Sequence, residues 1–86
     1  MNEDGKRAPT KEEIDEESRR ARRLRIVVDL ALTIIGQGQL PIEEANALIA
    51  ATRRVALQLF PGKEDTFDLI YRPKFQRLIN EVYRLQ

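Results

Sequence analysis

The chain contains no cysteine and no histidine. The first absence excludes disulfides, thiolate zinc sites and a cysteine nucleophile. The second removes the commonest general base and the commonest metal ligand, which argues against catalysis and against a bound cofactor. Neither sign of charge is in excess: fifteen Lys and Arg oppose fourteen Asp and Glu, a net charge of +1. Such a balance creates no overall pull toward nucleic acid or an anionic membrane. A long hydrophobic run is missing too. The longest apolar stretch, residues 24–35, is interrupted by Arg25 and Asp29 and falls short of the roughly 20 residues that span a bilayer. Residues 1–9 have no apolar block behind their charges, so they read as a disordered tail and not as a secretory signal. A cytoplasmic protein without membrane attachment is the expectation.

What is present is a mixture of 42% hydrophobic and 34% charged residues, the composition of amphipathic helices with charged outer faces. A chain of 86 residues allows one domain, here expected over residues 10–86. A domain of that size buries only about 60 to 65% of its unfolded surface, so a partner subunit would add useful cover.

Residues 24–35 are the stretch around which the rest must be arranged. As a helix they leave Arg25, Asp29 and Thr33 in a thin polar seam at four-residue spacing, with almost everything else apolar. Ile26, Val27 and Val28 are β-branched, but no period-two alternation supports a strand. The helix should begin near Thr10, where Thr10 and Glu13 have the spacing of a capping box. Glu12, Glu13, Asp15, Glu16 and Glu17 then sit at the positive end of the helix dipole. Arg19, Arg20, Arg22, Arg23 and Arg25 follow, and Asp15 to Arg19 and Glu16 to Arg20 are pairs four apart in the favourable order. The helix would be about 37 Å long over residues 11–35 at 1.5 Å per residue. Its first half offers only Ile14 and Ala21 to a core and is expected to overhang.

Gly36 is expected to close this helix in the left-handed conformation, with Gly38 as a second joint. A phosphate loop needs more glycine and a Lys-Ser or Lys-Thr signature, both missing, so the segment is a connector. A second helix starts at Pro41 and carries Ile42, Ala45, Leu48, Ile49, Thr52, Val55, Ala56 and Leu59 on one face. Phe60, Pro61 and Gly62 stop it. A short helix over residues 63–71 follows, with Phe67, Ile70 and Tyr71 on one side. Pro73 should push Arg72 out of helical geometry and break the chain between Tyr71 and Lys74. The final helix then presents Phe75, Leu78, Ile79, Val82 and Leu85. The expected fold is all-α: a small bundle of three to four helices with a long first helix and a proline-broken C-terminal segment. No motif in the chain identifies a family.

Candidate chemistry is sparse. Calcium loops and helical di-iron sites both need ligand patterns that this chain does not supply, and the acidic residues fit first turns of helices. No catalytic, cofactor-binding or metal residue is assigned, and no small-molecule ligand is inferred. Asp29 is expected to be partly buried and to take a donor from Arg25. A helix-turn-helix reader would place Glu64, Asp65 and Asp68 against phosphates, which disfavours it. The preferred reading is a non-catalytic helical interaction module. Leu24, Val27, Val28, Ala31 and Ile35 supply its candidate interface, and a second copy or another helical protein its partner. The alternative is nucleic-acid binding through Arg19, Arg20, Arg22 and Arg23, against which stand the preceding acids and the lack of interleaved aromatics.

Overall fold

The computed structural model describes residues 8–84. The tail expected over residues 1–9, apart from Ala8 and Pro9, and the place of Leu85 on the last helix lie outside the described residues. Four helices and no strand account for the regular structure among those described: α1 (Lys11–Gly36), α2 (Ile42–Leu59), α3 (Glu64–Ile70) and α4 (Arg72–Tyr83).

The start of α1 is set by side-chain chemistry. Thr10 Oγ1 accepts from the Glu13 backbone N–H at 3.1 Å, and the Thr10 N–H donates to Glu13 Oε1 at 2.9 Å. This reciprocal capping box satisfies two amides of the first turn. The other end departs from expectation. Gly36 stays within the helix, and Gly38 takes the positive φ of +71°. The Gly38 N–H reaches the Ile35 carbonyl at 3.0 Å, so the turn tightens two residues later than glycine spacing alone suggested. Residues 37–41 then fold α2 back along α1.

The core side of α2 is made of small residues. Ala45, Thr52 and Ala56 are its buried positions, whereas Ala47 and Ala50 are exposed. Ala45 and Ala56 therefore set how closely the helix approaches its neighbours, while the exposed alanines serve helix propensity. Thr52 buries its hydroxyl without loss because Oγ1 donates to the Leu48 carbonyl at 2.8 Å. Larger side chains fill the space from the other helices: Val28, Ala31 and Ile35 from α1, Phe67 from α3, Phe75 and Ile79 from α4. Leu24, Leu32, Leu48, Ile49, Tyr71 and Tyr83 pack around this centre, half buried.

Gly62, at φ +79°, turns the chain out of α2 and into α3. The boundary between α3 and α4 is narrower than expected. Arg72 is the first residue of α4, Pro73 occupies its first turn, and Tyr71 alone separates the helices, with φ −101° and ψ −31°. Pro73 has no N–H to give the Leu69 carbonyl, which interrupts the ladder. The bonds either side survive: the Tyr71 N–H donates to the Phe67 carbonyl at 2.8 Å and the Phe75 N–H to the Tyr71 carbonyl at 3.1 Å. Proline in a first turn loses no intrahelical bond of its own, so Arg72 need not leave the helix.

α1 packs against α2 and α4, and α3 packs against α2 and α4. The Tyr83 hydroxyl donates to the Leu40 carbonyl at 2.6 Å and fastens the end of α4 to the first connector. α1, at 26 residues, is about 39 Å long and longer than the bundle it belongs to. The molecule measures 55 × 21 × 16 Å, and every residue from 8 to 19 is exposed. The first turns of α1 therefore project as an overhang.

Candidate association surface

The stripe offered by the sequence as an interface is largely used inside the chain. Val28, Ala31 and Ile35 are buried, Leu24 and Val27 half buried. Val28, Ala31 and Ile35 are thus corrected from interface to core, because α2 and α4 reach that side of α1 first. The large apolar residues left exposed on α1 are Ile26 and Leu30, each 58% exposed on the opposite side, and Ile14, 51% exposed on the overhang. Asp29 also differs from expectation. It is exposed, so water solvates its carboxylate and no donor from Arg25 is required.

Beside Leu24 the helices leave a groove. It is bounded by Leu24 of α1, Ala56, Leu57 and Phe60 at the end of α2, and Phe67, Ile70 and Tyr71 of α3 and its boundary, and has a volume of about 240 Å³. Its walls are almost wholly apolar, with the Lys63 stem at the edge. The gap exists because α3 packs on α2 and α4 without closing onto α1. Ile70, which lines it, is 48% exposed. The Arg20 guanidinium carbon lies 5.7 Å from the ring centre of Phe60, one of the lining residues, close enough for a cation–π contact. Arg20 Nε is buried without a hydrogen-bond partner.

The candidate nucleic-acid residues do not form one stripe. At about 100° of rotation per residue, Arg20 and Arg22 point roughly 160° apart around the rod. Arg19, Arg22 and Arg23 are exposed and Arg20 is half buried. Glu16 draws two of them, Arg19 Nη2 to Oε2 at 3.0 Å and Arg20 Nη1 to Oε1 at 3.6 Å. The expected pairing of Glu16 with Arg20 is present, while Arg19 turns to Glu16 and not to Asp15.

One feature of this surface carries no local signal in the sequence. Arg53 of α2 grips Asp68 of α3 with both ends of its fork, Nε to Oδ1 at 2.9 Å and Nη2 to Oδ2 at 3.0 Å. The residues are far apart along the chain, and only the turn at Gly62 brings them together. The hydrogen bond to Arg53 holds the Asp68 carboxyl below the ordinary carboxylate range, and the same bond raises Arg53 further. A lowered acid pKa adds stability above the unperturbed value of about 3.9 and gives it up as pH falls through the depressed folded value. A raised arginine pKa adds stability below the unfolded value and gives it up only in strong alkali. Asp68→Asn is therefore expected to melt slightly below wild type at neutral pH, with the difference closing in strong acid. Thermal melts across a pH series check this, and a gap undiminished in acid would show that the pair is not its source.

Among the described residues there is no group of three or more Asp and Glu placed to hold a metal ion. No helix among them is long and apolar enough to cross a membrane. The fold class is a small all-α bundle. Comparison with protein-family models, curated proteins and solved structures finds no match to this chain.

Proposed function

We propose that this chain is a non-catalytic helical association module of the cytoplasm, that its docking surface is the apolar groove beside Leu24, and that it self-associates. The observation that carries this reading is the groove itself: a solvent-open apolar recess between three helices, with Lys63 and half-exposed Ile70 in its lining and Arg20 over its Phe60 ring. Apolar recesses with polar rims are surfaces that proteins use to bind one another. The wider economy of the chain agrees, since a domain this small gains proportionately from burying further apolar area.

Sedimentation equilibrium over a concentration series tests the proposal. The wild-type chain is expected to rise above monomer mass. Ile70→Glu, at a position open enough to keep its carboxylate wet, is expected to weaken association at least about tenfold, a change of roughly 1.4 kcal/mol, with helical circular dichroism retained. A wild-type chain that stays monomeric at millimolar concentration overturns self-association.

A further inference from the structure

The core stripe of α1 does not end where the bundle ends. Ile14, Glu17, Ala21, Leu24, Val28, Ala31 and Ile35 recur at alternating intervals of three and four, the seam of a heptad pattern. The last three are buried, Leu24 is half buried at the groove, and Ala21, Glu17 and Ile14 continue along the overhang as exposed positions, Ile14 at 51%. A seam that continues beyond its intramolecular cover is shaped for a further helix. The overhang is also charged in blocks. All five acids fall within residues 12–17 and all five arginines within residues 19–25.

We infer that the further helix is the same overhang from a second copy, laid antiparallel, so that Ile14 of each chain seats beside Leu24 of the other at the mouth of the apolar groove. The inference rests on the association reading above and specifies its geometry. An antiparallel pair centred near Arg19 places Ile14 opposite Leu24 and Glu17 opposite Ala21, then repeats both contacts by symmetry. This is the self-complementary interface that a two-fold dimer requires. Each acidic block then lies along the other chain's arginine block. A parallel pair would set acid on acid and arginine on arginine. Glu16 is partly engaged within its own helix, but Glu12, Asp15, Glu17, Arg22, Arg23 and Arg25 make no side-chain ion pair among the described residues and remain for the second copy. At the seam, the small Ala21 leaves room for the Glu17 stem, whose carboxylate reaches outward to the arginines. Because these charges are exposed, added salt weakens the pair.

The absence of cysteine makes introduced thiols the sole ones, so disulfide mapping reads the register directly. Full-length Glu17→Cys and Ala21→Cys chains, mixed and oxidised, are expected to yield mainly the mixed 17–21 disulfide. A second arm uses two triple variants, Asp15→Lys/Glu16→Lys/Glu17→Lys and Arg19→Glu/Arg22→Glu/Arg23→Glu. Each is expected to associate at least tenfold more weakly alone than wild type, and the equimolar mixture to recover dimer mass. If the wild-type chain dimerises but the two cysteine variants give mainly 17–17 and 21–21 disulfides, or the charge variants do not complement, this pairing is overturned and the association reading stands. A chain monomeric at every concentration overturns both. Should a triple variant lose its helical signal, the cysteine pair decides the register by itself.

Discussion

Val28→Glu is expected to unfold the chain, while Leu30→Glu, two residues further along the same helix, leaves it folded. Val28 is 3% exposed and Leu30 58% exposed, so one substitution places a carboxylate in the core and the other in water. Around Val28 are Ala31, Ile35 and the apolar side chains of α2 and α4, with no cation among the residues of that cluster. A carboxyl group there costs several kcal/mol whether it stays charged and unpaired or takes up a proton and remains a buried polar group without a partner. Natural domains hold only about 0.05 to 0.15 kcal/mol per residue, so that cost consumes most of what a chain this short possesses. Leu30→Glu should stay within about 0.5 kcal/mol of wild type, as surface substitutions do. Far-UV circular dichroism and thermal melting separate the two directly. A cooperative Val28→Glu melt near the wild-type midpoint would mean that this side of α1 is not enclosed as described.

Phe75→Ala should cost about 3 to 5 kcal/mol, the range for deleting a buried aromatic ring and leaving its cavity behind. Phe75 is 1% exposed and, with Ile35, is one of the two largest fully enclosed side chains. The position is hard to repack. The fully buried apolar side chains that α2 adds to the same core are Ala45 and Ala56, which have no length with which to fill the hole. Urea denaturation monitored by circular dichroism gives the number. A loss below about 1 kcal/mol would show that the bundle collapses around the gap, which contradicts the alanine-lined packing.

The helices were legible because their signals are local. Thr10 with Glu13, the three- and four-residue recurrence from Ile42 to Leu59, and the Phe60, Pro61, Gly62 stop each operate within a turn or two of backbone, and the structure forms each of them. Misreadings fall where a residue's fate depends on which neighbour arrives. Val28, Ala31 and Ile35 look like spare surface in one dimension, yet two helices converge on them, and Ile26 and Leu30, equally apolar, face outward because no helix reaches that side. Arg53 with Asp68, and Tyr83 with the Leu40 carbonyl, depend on how helices are set against one another and leave no periodic trace. Gly36 and Gly38 were both plausible closures for α1, and the choice of Gly38 follows from the path toward α2. For the groove, the relevant signal was an excess of apolar residues near Phe60 and Ile70 over what one short helix can cover, and composition cannot locate such a gap.

Phe75 and Ile79 stand in α4, the last helix among the described residues, yet they complete an interior begun by α1. Translation delivers α1 and α2 earlier, and the buried positions of α2 are two alanines and a threonine, with the Phe75 ring of the same core still to come. The interior is therefore finished only as α4 clears the ribosome. A message that stops short of Phe75 yields an open amphipathic hairpin, fit for a chaperone or a protease and not a smaller edition of the same protein.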